Sequence, residues 1–181
     1  MRDLRAARSH PGLFVSDLLR PLPPATRYIL RAAEPARAAA QRAFGVPVAA
    51  LACRAAATGE RAALWLGPDE WLLLAPEAEA GAVAAALDAA LGSLPHSLVD
   101  VSHRQIACSV CGPQAATLLQ AGCPLDLDAR AFPVDMCTRT VLAKAEVVLW
   151  RTGAQAFRLE VWRSFAAYVS QFLAEAARAI K

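Results

Sequence analysis

One order of landmarks runs through this chain twice, and that repetition narrows the folds open to it more than any single motif. In the first half, Arg27 to Leu30 reads as a short strand and Pro35 to Phe44 as a helix with proline in its first turn and Gly45 as its stop. Val48 to Arg54 reads as a second strand. Ala62 to Leu66 and Trp71 to Leu74 form a hairpin around the turn Gly67-Pro68-Asp69-Glu70. Pro76 to Leu91 is a helix with Glu77 and Glu79 suiting its dipole, an apolar face of Val83, Ala86, Leu87, Ala90 and Leu91, and Gly92 at its end.

The second half repeats the order. Gln105 to Val110 is a strand, Gly112-Pro113 opens a helix that buries Leu118 and Leu119, and Gly122 closes it. Thr138 to Leu142, Val147 to Arg151 and Phe157 to Trp162 are strands, the last two joined by Thr152-Gly153-Ala154-Gln155. Ser164 is placed to cap a final helix with apolar positions Phe165, Tyr168, Val169, Phe172, Leu173 and Ala176. Equivalent landmarks lie 78 (Pro35, Pro113), 77 (Gly45, Gly122), 85 (Trp65, Trp150) and 88 (Pro76, Ser164) residues apart, a drift that loop insertions in the second copy produce.

Two strand-helix-strands-helix modules with antiparallel sheets and packed helices make an α+β fold. The expected organisation is an arm over residues 1–25 and a single domain over 26–181, whose modules, about 26–95 and 96–181, share a core. Its 181 residues, 56% hydrophobic and 19% charged, are enough for such a core. The arm holds Pro11, Pro21, Pro23 and Pro24 and an apolar stripe of Leu13, Phe14, Val15, Leu18 and Leu19, which predicts a turn or two of helix before an extended segment.

Charge excludes some partners. The net value of +3 is too small for a nucleic-acid binder, but residues 1–54 carry +6, residues 55–100 carry −6 and residues 101–181 carry +3, as expected of faces with different neighbours. No stretch reaches 18 apolar residues and no apolar signal core follows the Arg-rich start, which leads to the expectation of a cytoplasmic protein without a membrane span. Cys53, Cys108, Cys111, Cys123 and Cys137 then read as reduced thiols. Cys108 and Cys111 have knuckle spacing, but on a strand residues three apart face opposite ways, so no metal site is expected.

The densest polar cluster is Asp100, Ser102, His103, Arg104 and Gln105. Neighbours on an extended segment diverge, so they do not assemble a nucleophile and base, and no phosphate loop or dinucleotide fingerprint is present. Asp126 with Asp128 and Asp69 with Glu70 fall in turns, where they cap backbone amides. Trp65, Trp71, Trp150 and Trp162, with Arg151, Arg158 and Arg163 among them, either pack between sheet and helix or stack a planar ligand such as a pterin.

Several motifs in order resemble the gamma subunit of heterotetrameric sarcosine oxidase: Trp65-Leu66-Gly67-Pro68-Asp69-Glu70-Trp71-Leu72-Leu73, Val99-Asp100-Val101-Ser102-His103-Arg104, Gly112-Pro113 with Ala116 and Leu118-Leu119, and Gly122-Cys123-Pro124-Leu125-Asp126-Leu127. Ala131-Phe132-Pro133, Cys137-Thr138-Arg139-Thr140, Val148-Leu149-Trp150-Arg151 and Arg163-Ser164-Phe165-Ala166 continue it. That family is similar to the aminomethyltransferase of the glycine cleavage system, so the resemblance implies a fold like its folate-binding domain.

By the same resemblance, the chain is a non-catalytic subunit of a complex that oxidises sarcosine to glycine and hydrogen peroxide and passes the one-carbon unit to tetrahydrofolate. It implies partners alpha, beta and delta, with FAD, FMN, NAD, tetrahydrofolate and zinc held by them and none by this chain alone. The aminomethyltransferase pattern has paired Asp residues where this chain has Ala143-Lys144-Ala145-Glu146-Val147, which speaks against an independent folate enzyme. Leu18, Leu19, Arg20, Arg104, Arg139 and Arg163 are the candidate partner contacts, and Asp100, Ser102, His103 and Trp150 the candidate cofactor contacts. Two other readings stand beside this one: a stand-alone folate or pterin module, and a one-carbon transferase using Glu146 or Asp100.

Overall fold

A computed structural model describes residues 12–14 and 16–180. The strands are β1 (Leu19–Pro21), β2 (Ala25–Ala32), β3 (Ala55–Thr58), β4 (Arg61–Gly67), β5 (Glu70–Pro76), β6 (His96–Asp100), β7 (Gln105–Cys111), β8 (Cys137–Leu142), β9 (Ala145–Gly153) and β10 (Ala156–Trp162). The helices are α1 (Ala36–Phe44), α2 (Ala80–Leu91), α3 (Ala115–Gln120) and α4 (Ala166–Ala179). The chain divides into two compact units. One is Ala25–Ser102, and the other joins the described residues up to Pro24 to the segment from His103 onward.

Each unit has one five-stranded antiparallel sheet, in the orders β3-β4-β5-β2-β6 and β8-β9-β10-β7-β1. The orders correspond strand for strand, which is the duplication seen in the sequence. Counted along the chain, each repeat is strand, strand, helix, three strands, helix. The first strand of each repeat leaves its own sheet: β1 pairs with β7 of the second repeat, and β6 pairs with β2 of the first. Amides of Leu22 and Cys111 extend the β1–β7 ladder, donating to Ala107 and Leu18 carbonyls at 2.9 Å.

In the Ala25–Ser102 unit, Leu30, Trp71 and Leu73 of the sheet pack with Ala36, Ala40 and Phe44 of α1 and Val83, Leu87 and Leu91 of α2. Helix α1 ends as expected at Gly45, whose φ of 76° is a conformation that favours glycine. The strand predicted over Val48 to Arg54 is absent, and β3 begins at Ala55. Side chains satisfy that backbone instead: Gln41 Oε1 accepts from the Val48 amide at 3.1 Å, Arg37 donates to the Val48 carbonyl at 2.6 Å, and Trp71 Nε1 donates to the Ala49 carbonyl at 2.8 Å. Of the predicted α2 face, Val83, Leu87 and Leu91 are buried and Ala86 is exposed.

In the other unit, Ile106, Cys108 and Val110 of β7, Val147 and Leu149 of β9, and Phe157, Leu159 and Val161 of β10 form one sheet face. Leu118 and Leu119 of α3 and Val169 and Leu173 of α4 cover it. Each unit thus holds an apolar cluster of its own. Gly122 is required by packing: a β-carbon there would lie 2.7 Å from the Phe172 ring and 3.0 Å from the Ala143 nitrogen. Ser164 does not cap α4; a 3-10 turn over Arg163–Phe165 leads into it without a side-chain cap.

The N-terminal segment departs most from its expected role. No helix occurs among its described residues, and Val15 lies outside them. Phe14 and Leu19 are 1% exposed and belong to the core of the unit that contains β7, with Leu18 packed against it. The Phe14 amide donates to Ser170 Oγ of α4 at 2.8 Å. Leu19→Ala is therefore expected to cost the isolated chain about 3 kcal/mol in urea unfolding. Unchanged stability would mean that Leu19 faces outward.

Candidate functional site

The Asp100–Gln105 segment resolves into two separate tasks. Asp100 Oδ1 accepts the Ser102 amide at 2.8 Å, closing a turn at the end of β6. Buried Ser102 Oγ accepts the Arg27 amide at 2.9 Å, and the Val101 amide donates to the Arg27 carbonyl at 2.9 Å. Ser102 therefore fastens β6 to β2, a structural use that leaves Asp100 as a turn former on an exposed strand.

Beyond this turn, His103 is exposed and Arg104 lies with its guanidinium 5.2 Å from the Trp162 ring centroid. The Arg163 amide donates to the Arg104 carbonyl at 2.9 Å, and its guanidinium reaches the His103 carbonyl at 3.4 Å. Antiparallel pairing of β7 with β10 places Gln105 opposite Trp162 and so brings these distant segments together. Arg104, Trp162 and Arg163 thus form one basic, aromatic corner.

The other sequence candidates do not join it. Arg20 is exposed on β1 and Arg139 on β8, strands at opposite edges of one sheet, and Arg139 lies 3.8 Å from Glu146 across the β8–β9 hairpin. Leu19 is buried and Leu18 half-buried against Gly112, so the expected exposed apolar contact in the arm is corrected to a core contact. Trp150 is 9% exposed on β9, between Cys137 and Arg158 in register, so most of its side chain is withdrawn from solvent.

The paired acids are turn groups. Asp126 Oδ1 accepts the Asp128 amide at 2.9 Å, and Asp128 Oδ1 accepts the Arg130 amide at 3.0 Å and its Nε at 2.9 Å. The Arg130 amide, and then its guanidinium, hold the Asp128 carboxyl below its usual range. Among the described residues, no group of three or more His, Cys, Asp or Glu is placed to hold a metal. Cys108 is buried and Cys111 exposed, as alternation on β7 requires. Burial, with Glu160 adding to it, pushes the Cys108 thiol well above its usual range.

Sequence periodicity misses the remaining part of the corner. Phe165 and Tyr168 fit an apolar helical stripe and read as core, yet with Trp162 they are the exposed large aromatics among the described residues of this unit. The stripe is wider than the sheet can cover: Val169 and Leu173 take the buried positions, and the aromatic side remains in water.

Against this geometry, a family model described as "Sarcosine oxidase, gamma subunit family" matches residues 30–179. The chain belongs to the sarcosine oxidase gamma subunit family. Gamma subunits from Corynebacterium sp. (strain P-1) and Arthrobacter sp. are 42% and 45% identical over 115 and 96 residues, covering 64% and 53% of this chain. These alignments span 56% and 46%, about half, of the length of those relatives. A chain of the heterotetrameric sarcosine oxidase from Corynebacterium sp. U-96, solved with pyrrole 2-carboxylate, superposes with a TM-score of 0.82 at 35% identity, over 96% of this chain and 88% of that one.

The aminomethyltransferase T of the glycine cleavage system from Bartonella henselae gives 0.64 at 13% identity over 86% of this chain and 44% of that one, a likeness of fold. In this gamma-family chain the segment Ala143–Val147 comprises the two-residue β8–β9 turn, Ala143-Lys144, and the first three residues of β9; Ala143 adopts a φ of 53° and its amide donates to the Gly122 carbonyl at 2.8 Å. Glu146, the acid of that segment, is exposed beside Arg139.

Two outcomes follow for this region. Ser102→Ala leaves the buried Arg27 amide without its acceptor and is expected to lower stability by about 1.5 kcal/mol in urea unfolding; no loss would show that Ser102 does not fasten the strands. A thiol-reactive chromophore at pH 8 is expected to modify Cys111 quickly in the native chain and Cys108, Cys123 and Cys137 only after unfolding. Because the folded Cys108 thiol resists ionisation, its stabilising contribution is intact below the ordinary thiol range and is lost as pH rises above it. Fast native modification of Cys108 would contradict that burial.

Proposed function

We propose that this chain is the gamma subunit of a heterotetrameric sarcosine oxidase and that it works without catalytic residues of its own, as a folded body on which partner subunits are held. The superposition at a TM-score of 0.82 on a chain of the Corynebacterium sp. U-96 enzyme, over nearly the whole of this chain, carries the reading. The chemistry of the candidate residues supports it: Asp100 and Ser102 are engaged in a turn, Trp150 is buried, and Glu146 lies at the surface next to Arg139.

The complex would oxidise the N-methyl group of sarcosine, giving glycine and hydrogen peroxide and transferring the one-carbon unit to tetrahydrofolate. Partners alpha, beta and delta would hold FAD, FMN, NAD, tetrahydrofolate and zinc, and the setting would be the cytoplasm. No helix among the described residues is long and apolar enough to cross a membrane.

Likeness of fold to an aminomethyltransferase keeps direct folate binding as the rival reading. Both are tested by co-expressing the tagged chain with the other three subunits and titrating the isolated chain with tetrahydrofolate. Stoichiometric co-purification and no saturable change in tryptophan fluorescence are expected. A chain that purifies alone and binds the folate would replace the proposal with that of a folate module.

A further inference from the structure

The described residues expose seven large hydrophobic side chains, and three of them lie within seven positions at one corner: Trp162 at 37%, Phe165 at 40% and Tyr168 at 40%. Leu51, Val99, Val134 and Val141 are separate single exposures of the kind any surface carries. Trp162 ends β10, Phe165 ends the 3-10 turn, and Tyr168 follows Phe165 by three residues, so the three exposed rings fall within the short stretch where β10 passes into α4. From Tyr168 the apolar strip continues with Phe172 into a groove of about 330 Å³ that Gln171 and Glu175 also line.

The Trp162 end of this strip is basic. The Arg104 guanidinium lies over the Trp162 ring, and Arg163 follows Trp162 in the chain. Among the described residues, neither guanidinium has a carboxylate within ion-pair distance, as is also true of Arg20, Arg42 and Arg54, whereas Arg31, Arg37, Arg61, Arg158 and Arg178 are paired. Glu175, at the far end of the groove, is held by Arg178 at 2.7 Å. Exposed rings of about 200 Å² each leave on the order of 250 Å² of aromatic surface in water. That is well below the ~800 Å² per partner of a stable interface, and it is the right size and composition for an interface centre, where Trp, Tyr and Arg dominate binding.

We infer that the Trp162–Phe165–Tyr168 corner, with Arg104 and Arg163, is the centre of the docking surface for another subunit of the oxidase, one that presents an apolar socket rimmed by carboxylates. This rests on the reading of the chain as a gamma subunit. Desolvating the two unpaired guanidinium groups is unfavourable unless the partner supplies acids, and burying the three rings provides the apolar gain. Arg20 and Arg139, at the two edges of the sheet, lie outside this surface.

The test uses the complex of the other three subunits, purified without this chain, and measures binding of the full chain by interferometry. Compared are the unaltered chain, Phe165→Ser with Tyr168→Ser, Arg104→Glu with Arg163→Glu, and Arg20→Glu with Arg139→Glu. Circular dichroism and Tm establish that each variant is folded. The first two pairs are expected to weaken binding by about 30-fold or more, and the third is expected to bind as the unaltered chain does. Raising salt is expected to weaken the unaltered chain and the aromatic pair, but not the Arg104/Arg163 reversal.

If all three pairs bind as the unaltered chain does, this surface is wrong and the gamma-subunit reading stands. If the unaltered chain does not bind the three-subunit complex, both fail together. If sedimentation shows the chain alone to be a dimer that Phe165→Ser with Tyr168→Ser dissociates, the occupant is a second copy, and the proposed partner is overturned.

Discussion

Everything else in this chain depends on the exchange of first strands between its two repeats. Strand β1 must return to β7, pairing Leu19 with Val110, before the second sheet is complete, and β6 must return to β2 before the first is. Closing so long a loop costs entropy, but the cost grows only slowly with length, and burial of Phe14 and Leu19 offsets it. The segment that looks like a free arm is therefore part of the fold. Proline suits it there: Pro21 sits on an edge strand, where it blunts further pairing.

A second constraint acts inside the β7-containing unit. Arg151 is 5% exposed, yet among the described residues no carboxylate lies within ion-pair distance of it. Its guanidinium donates to the carbonyls of Leu127, Phe132, Gly153 and Ala154 at 2.7 to 3.3 Å and lies 4.9 Å from the Phe157 ring centroid. One cation thus ties the irregular segment before β8 to the β9–β10 turn. Hydrogen bonds from a charged donor contribute about 1.5 to 3 kcal/mol each, which explains how a segment without helix or strand keeps one path. Lysine could not reach four acceptors in that plane.

Much of the fold is legible in the sequence because its signals are local. Gly45 and Gly122 stop helices, Gly67-Pro68-Asp69-Glu70 turns a hairpin, and β7, β9 and β10 bury an alternating face. What is illegible depends on distant partners. Strand β6 is exposed along most of its length, so no burial pattern marks it, and only pairing with β2 makes it a strand. Val48 to Arg54 has strand-like residues, but Gln41, Arg37 and Trp71 take up its backbone groups. Phe165 and Tyr168 carry the same periodicity as Val169 and Leu173, and only the breadth of the covering sheet separates exposed from buried. The resemblance to the gamma-subunit family is legible from motif order, whereas the corner formed by Arg104, Trp162 and Arg163 needs the β7–β10 register.

These features describe a chain whose polar groups serve turns and strand junctions and whose conspicuous unsatisfied surface is basic and aromatic. On the proposed reading its central property is to hold partners, with catalysis elsewhere. The most direct measurement is turnover per assembled complex when the chain carries Asp100→Asn, His103→Gln and Glu146→Gln together, changes that keep size while removing the three acid or base candidates that the sequence singles out. A non-catalytic subunit leaves kcat unchanged. A loss of about ten-fold or more in an intact, fully assembled complex, equal to roughly 1.4 kcal/mol of transition-state stabilisation, would contradict it.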